Sequence, residues 1–155
     1  MVVEPDKRRR SPWLLVAGAI ASLLVLVVLV AVIVAFTWFD VSLSDGVGDR
    51  TYAPASAADV RHEYKLGVGN LELDLSRVPT GTSVHVDARV GIGKLRVIIP
   101  QSASVVVDAR VKAGSISSLG HHDDGRNARV RVTGGDKLYL KTRVGAGQID
   151  VERSG

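Results

Sequence analysis

The residues best suited to metal chemistry are four consecutive potential ligands, His121, His122, Asp123 and Asp124. Imidazole and carboxylate groups bind zinc and harder cations. Adjacent side chains rarely converge on one ion without ligands from elsewhere, and His62 and His85 are the only other histidines. The pattern therefore favours a solvent-exposed turn, with a metal site as the alternative, and it predicts no cofactor.

A second group combines carboxylates and guanidinium groups at a fixed spacing. Asp87 precedes Arg89 by two positions, Asp108 precedes Arg110 by two, and Arg143 takes the corresponding place in a later segment. On the outer face of stacked strands such residues would form ion pairs worth about 0–1 kcal/mol each. The simplest interpretation is a charged, soluble outer surface. The alternative is an interaction face for an anionic wall polymer or a partner protein.

Signatures of catalysis are missing from the sequence. A glycosidase would need paired carboxylates beside a cleft of aromatic residues, yet outside the N-terminal apolar run the aromatic residues are Tyr52, Tyr64 and Tyr139. The chain has no cysteine, no nucleophile elbow, no phosphate-binding Gly-Lys-Ser/Thr loop and no His-Glu-x-x-His motif. We therefore predict a non-enzymatic protein, with a polysaccharide-active enzyme as a remote alternative.

The elements that position these residues follow one template, residues 84–100. Apolar residues alternate with polar ones at 84, 86, 88, 90 and 92, as in a strand with one buried face. After Gly91-Ile92-Gly93 the apolar positions become 95, 97 and 99. One extra residue must be absorbed at the glycines, which predicts a corner or bulge there.

The corner recurs along the chain, with second glycines at 48, 69, 93, 114 and 147, in steps of 21, 24, 21 and 33. The predicted corner residues are Gly46, Gly48, Gly67, Gly69, Gly91, Gly93, Gly114, Gly145 and Gly147. A repeat of about 22 residues predicts an all-β domain of stacked coils, resembling a β-solenoid. An antiparallel β-sandwich is the alternative. The longest step predicts an insertion at 119–127 that projects as a loop or hairpin, and a local hairpin turns at 133–136.

The N-terminal part predicts a membrane anchor. Residues 1–12 form a basic tail, and no charged residue occurs between Ser11 and Asp40. Residues 13–39 would rise about 40 Å as a helix, enough to cross a bilayer core of about 30 Å. Trp13, Trp38 and Phe39 mark the ends as interfacial anchors, and the charge asymmetry keeps the N-terminus cytoplasmic. A cleaved signal peptide is the competing interpretation.

Beyond the anchor, residues 40–60 form a juxtamembrane connection with a first partial repeat, and residues 61–155 form the β-repeat domain. The first ten residues hold four basic and two acidic side chains, which leaves 16 basic and 14 acidic side chains in the remainder. The exported part is thus nearly neutral. The basic tail indicates contact with anionic lipid rather than with nucleic acid.

The motifs VGDRTYAP, YKLGVGNLELDLS, VHVDARVGIGKLRVIIP and VVVDARV resemble the toastrack domain. This domain forms the C-terminal part of LiaF-like cell-wall-active-antibiotic response proteins and of actinobacterial phage-shock-protein-C-like membrane proteins. The resemblance covers residues from about 44 to 153. It implies an extracytoplasmic β-solenoid-like module of bacterial envelope-stress sensing, with a membrane or envelope protein partner such as a histidine kinase.

These observations together predict a single-pass plasma-membrane protein whose extracytoplasmic domain binds or senses in the cell-envelope stress response. The alternative is a structural envelope scaffold that self-associates through the ends of its β-solenoid.

Overall fold

The computed structural model describes residues 12–38, 43–135 and 137–155, with side chains described for residues 20–34, 44–135 and 137–155. The chain divides into two compact units, residues 1–37 and residues 38–155. The tail at residues 1–11, the predicted anchor Phe39 and the side chains of Trp13 and Trp38 lie outside this description.

The helix α1, Pro12–Trp38, belongs to the first unit except for its last residue. Its described side chains, those of residues 20–34, are exposed and mostly large and apolar. Among the described residues, no helix is both long enough and apolar enough to span a membrane.

The described part of the second unit contains six β-strands and two short 3-10 turns. The turns are Leu43–Asp45 and Ala57–Asp59. The strands are β1 Arg50–Tyr52, β2 Glu63–Asp74, β3 Val84–Ile99, β4 Val105–Ser118, β5 His121–Thr133 and β6 Leu138–Arg153.

The strands form one sheet in the order β1-β2-β3-β6-β4-β5. All neighbouring pairs are parallel except β4 and β5. The antiparallel sandwich is therefore excluded for the described part of the chain, which contains a single sheet. The strands do not stack in sequence order either, because β6 lies between β3 and β4. The sheet thus resembles a β-solenoid in its parallel strands, but it differs because a solenoid stacks its strands in the order of the sequence.

The change of phase predicted at Gly91-Ile92-Gly93 is confirmed in β3. Val84, Val86, Ala88 and Val90 are buried before it, and Leu95, Val97 and Ile99 are buried after it. Both halves of the strand thus contribute to one core. The prediction was wrong for Ile92, which is exposed because the chain turns there. Its counterparts in the neighbouring strands form a column at the outside of the corner: Val47, Val68, Ala146 and Ala113.

The second glycines of the corners stack directly on one another in the order Gly48, Gly69, Gly93, Gly147 and Gly114. Each has a φ between 115° and 140°, which side chains of L-residues rarely adopt. A Cβ atom on Gly93 would also collide with the carbonyl oxygen of Gly69. The column therefore needs glycine for two reasons, backbone conformation and close approach. Of the first glycines, Gly67, Gly91 and Gly145 are buried, whereas Gly46 also has a positive φ.

The segment 119–127, predicted to project as a loop or hairpin, is the turn and first half of the second strand of the β4–β5 hairpin. Ser118 pairs with His121, so the turn consists of Leu119 and Gly120 alone. Both have positive φ, 50° and 85°, as a type I′ turn requires. Residues 121–127 therefore belong to a strand rather than a loop. The hairpin predicted at 133–136 was wrong, because β5 and β6 flank β4 on opposite sides; Asp136 lies outside the described residues.

Candidate functional site: a charged outer face

The outer face of the sheet carries two parallel rows of charged residues. They arise because residues that alternate with the core positions point outward, and the strands are held in register. We call the first the cationic row; it runs across five strands as Lys65, Arg89, Arg143, Arg110 and Arg129. We call the second the mixed row; it lies two residues away and consists of Glu63, Asp87, Lys141, Asp108 and Arg131.

Asp87 pairs with Arg89 along the same strand. The Arg89 Nε donates to Asp87 Oδ1 at 3.1 Å, and Nη2 donates to Oδ2 at 2.9 Å. Partial burial by itself would raise the pKa of Asp87. Hydrogen bonding and attraction from Arg89, with help from Arg143 and Lys141, outweigh this effect and hold the pKa below its ordinary value. Asp87 therefore stays ionised at neutral pH.

Asp108 is a carboxylate that three arginines share. It accepts two hydrogen bonds from Arg110, at 3.1 and 3.0 Å, and further ones from Arg131 at 3.2 Å and Arg129 at 3.4 Å. The hydrogen bonds from Arg110 lower the pKa of Asp108 most. Partial burial opposes them, Arg131 and Arg129 reinforce them, and the pKa lies far below its ordinary value. The side chain of Asp108 is only 18% exposed.

Arg143 lies at the centre of the cationic row with an arginine on either side, Arg89 on β3 and Arg110 on β4. Its one ionic contact within the described residues joins its Nη2 to Asp87 Oδ2 at 3.8 Å. Its neighbour along β6 is Lys141 rather than an aspartate. The centre of the face therefore has an excess of positive charge.

The cationic row borders a groove of about 810 Å³. All five of its members line this groove, as does Lys112, and Asp45 is the carboxylate that lines it. Gly91 and Gly145 also line the groove. Because glycine has no side chain, neither residue fills the groove at its position.

A stacked pair of rings adjoins the mixed row. His85 and Tyr139 lie opposite each other on β3 and β6, with ring centroids 4.5 Å apart and planes 8° from parallel. They line a second cavity of about 340 Å³ together with Asp87, Asp108 and Lys141. The face thus offers flat ring surface beside its charges.

Comparison with known proteins identifies the family. The family model described as cell wall-active antibiotics response LiaF, C-terminal, matches residues 54–151, which is 98 of the 155 residues. The chain belongs to the LiaF-like C-terminal family. None of the curated proteins compared with the chain matches it.

The fold of this LiaF-like chain is also found in a crystal structure of a candidate cell adhesion protein from Clostridium sporogenes. The two share 23% identity with a TM-score of 0.52, over 69% of this chain and 52% of the other. The chain thus spans about half the length of that protein. At this identity the likeness concerns the fold.

Within the LiaF-like domain, the structure brings together all five residues of the predicted interaction face: Asp87, Arg89, Asp108, Arg110 and Arg143. Sequence reasoning missed Lys65, although it lies four residues before the second glycine of its corner, as Arg89, Arg110 and Arg143 do. That spacing could have revealed it. Arg129 could not be found this way, because β5 runs in the opposite direction.

The potential metal ligands of the LiaF-like domain do not converge. His121, His122, Asp123 and Asp124 follow one another along β5, where successive side chains point to opposite faces. Asp123 Oδ2 accepts a hydrogen bond from the backbone N–H of Arg129 at 2.8 Å. In the part of the chain that the structure describes, no three histidine, aspartate or glutamate side chains are grouped to hold a metal ion.

Proposed function

We propose that this chain is a non-enzymatic binding and sensing module of the cell-envelope stress response, and that it binds through the charged outer face. Family membership supports the connection with the response to cell wall-active antibiotics. The observation that carries the binding role is the cationic row, in which five strands each contribute one cation to the rim of a single groove.

The state of the carboxylates supports binding over catalysis. A general acid or base works best when its pKa lies near the operating pH. The pKa values of Asp87 and Asp108 are instead lowered by their arginine partners. Such groups neither donate nor accept protons readily at neutral pH, so their role in the proposal is to hold the arginines in place.

Membrane anchoring is the second part of the proposal. Its support comes from the sequence of the N-terminal segment, which carries no charge between Ser11 and Asp40 and follows a basic cluster. We propose that residues 13–39 cross the plasma membrane once, with the domain outside the cytoplasm. A reporter that works only in the cytoplasm, fused after Gly155, should be inactive; full activity would contradict this orientation.

The partner is proposed from the family resemblance to be a membrane or envelope protein, such as a histidine kinase. A scaffold that assembles through its sheet ends has less support. The edge strand β1 has three residues and the other edge strand, β5, has thirteen. Two such unequal edges offer little for continuous end-to-end stacking.

The proposal is tested in cells that lack the chromosomal copy of the chain, by measuring induction of an envelope-stress reporter by a cell wall-active antibiotic. The wild-type chain should restore the normal response. A variant with Arg89, Arg110 and Arg143 changed to Gln should not restore it, while reaching the same level in the membrane.

Arg96→Gln serves as the control, because Arg96 is also an exposed, ion-paired arginine of the sheet but does not line the groove. It should restore the response. A triple variant that responds like wild type would refute the binding role of this face.

A further inference from the structure

The cationic row places like charges directly opposite one another on neighbouring strands. Such pairs destabilise a sheet, and the mixed row shows the favourable alternative, since Lys141 lies between Asp87 and Asp108. A carboxylate in place of Arg143 would give the centre of the cationic row the same alternation, between Arg89 and Arg110. Pairing across the strands therefore does not by itself account for the positive charge at this position.

The ion pairs of the face leave the centre of the row least neutralised. Asp87 and Asp108 each form a two-point contact with the arginine of their own strand. In β6 the corresponding acid is replaced by Lys141, and the nearest carboxylate oxygen to Arg143 is 3.8 Å away. An incoming anion would therefore meet its strongest attraction at Arg143.

The geometry of the row indicates the shape of the ligand. Neighbouring strands lie about 4.8 Å apart, so five cations in register extend over about 19 Å. A single small anion can reach two or three of these groups. A linear chain with repeated negative charges can contact the whole row, and the groove beside it provides about 810 Å³ for such a chain.

Phosphate is the anion that fits these cations best. Four of the five are arginines, whose planar guanidinium groups bind phosphate through paired hydrogen bonds. Asp87 and Asp108 already occupy part of the hydrogen-bonding capacity of Arg89 and Arg110. A carboxylate ligand would merely duplicate them, whereas the additional acceptor oxygens of a phosphate group can bridge Arg143 and its neighbours.

We propose that the cationic row binds a linear polyanion whose charges are phosphate groups, with Arg143 as its central contact. The inference rests on the proposed function and names the ligand class of the same face. The groove beside the row provides room for the chain.

The test measures binding of a fluorescent polyphosphate, longer than the row, to the full chain in nanodiscs of zwitterionic phosphatidylcholine. Arg143→Gln should weaken binding about tenfold, because one charge-assisted contact is lost. It should also reduce the slope of log affinity against log salt concentration by about 1. Arg96→Gln removes the same charge from an exposed arginine outside the groove and should change the affinity less than about twofold.

Three outcomes would overturn the inference. Equal losses in Arg143→Gln and Arg96→Gln would mean general attraction to positive charge. Equally tight binding of poly-glutamate would mean that phosphate is not distinguished from carboxylate. Binding to vesicles that contain phosphatidylglycerol, without binding to polyphosphate, would assign the phosphate to lipid headgroups instead of a polymer.

Failure of this inference is distinguishable from failure of the proposed function. If polyphosphate does not bind but the triple arginine variant still loses the antibiotic response, the ligand class is wrong and the binding face stands. If polyphosphate binds in the predicted way but the triple variant responds normally, the ligand class stands and the role in the stress response is wrong.

Discussion

Replacing Gly93 by alanine should destabilise the domain more than the same replacement at Gly48. Both glycines belong to the stacked column, with φ of 136° and 115°. A Cβ atom on Gly93 collides with the carbonyl oxygen of Gly69, whereas a Cβ atom on Gly48 has no atom within 4 Å. Comparing the two variants therefore separates the cost of backbone strain from the cost of steric conflict between strands.

The expected magnitudes follow from these two effects. A non-glycine residue held in a rarely populated region of φ costs about 1–3 kcal/mol, and this applies to both variants. Inserting a methyl group where there is no room adds about 1–3 kcal/mol of strain, and this applies to Gly93→Ala alone. We therefore expect a loss of about 2–6 kcal/mol for Gly93→Ala and about 1–3 kcal/mol for Gly48→Ala.

Thermal unfolding of the full chain in detergent, followed by the circular dichroism of the β-sheet, measures the difference. For a domain of this size, 1 kcal/mol corresponds to about 4–8 °C in Tm. Gly93→Ala should thus unfold at least several degrees below Gly48→Ala. Equal Tm values would refute the close approach of neighbouring strands at the corner, and a wild-type Tm for Gly93→Ala would refute the need for glycine altogether.

Three further substitutions test the charged face and the core. Asp108→Asn should lower the free energy of unfolding by about 1–2 kcal/mol at neutral pH. Because folding lowers the pKa of Asp108, the ionised group stabilises the domain above its unfolded pKa of about 3.9, and this contribution is lost as the pH falls toward the folded-state pKa. In urea titrations, the difference in free energy of unfolding between wild type and Asp108→Asn should therefore be constant above about pH 5 and become smaller below about pH 4. A difference that grows in acid would contradict this. Asp124→Asn is the control on the neighbouring strand. Arg143→Glu should raise the free energy of unfolding by about 0.5 kcal/mol, because a carboxylate would then lie between Arg89 and Arg110. Destabilisation in the same titration would show that Arg143 is structural. Thr142→Val should raise the free energy of unfolding by about 1 kcal/mol, because the buried Thr142 Oγ1 has no hydrogen-bond partner among the residues that the structure describes. A measured loss of stability would mean that the hydroxyl is hydrogen-bonded in solution.

The sequence was sufficient to predict the strands and their corners but not the order of the strands. Alternation and the change of phase at the glycines are local patterns, and each parallel strand carries them. For the same reason the strands are nearly interchangeable as neighbours. In the structure β6 lies between β3 and β4. The pattern of β6 would fit equally well if β4 were its one neighbour.

The sequence predicted a loop or hairpin at 119–127 but not the position of the turn or the extent of β5. The turn uses Leu119 at a positive φ, a conformation that leucine rarely adopts, so Leu119 does not signal the turn. The first half of β5 lacks alternating apolar residues, so its polar run did not indicate a strand. Tertiary pairing with β4 decides the structure of this segment.

The candidate face was partly predictable. The Asp-x-Arg spacing in β3 and β4 identified its centre, because outward positions on stacked strands form rows. The contribution of Arg129 depends on an antiparallel strand, and the groove depends on the neighbours that β6 acquires. Neither could be derived before the order of the strands was known.

Photo-crosslinking in living cells tests most directly the claim that the charged face contacts an envelope component. A photoreactive amino acid replaces Arg129, at the end of the cationic row, or Lys94, an exposed cation of β3 that does not line the groove. Both substitutions remove one positive charge. We predict an adduct from position 129 that disappears when Arg143→Gln is added, and no such adduct from position 94. An adduct from position 94 alone, or one from position 129 that persists in Arg143→Gln, would contradict the account.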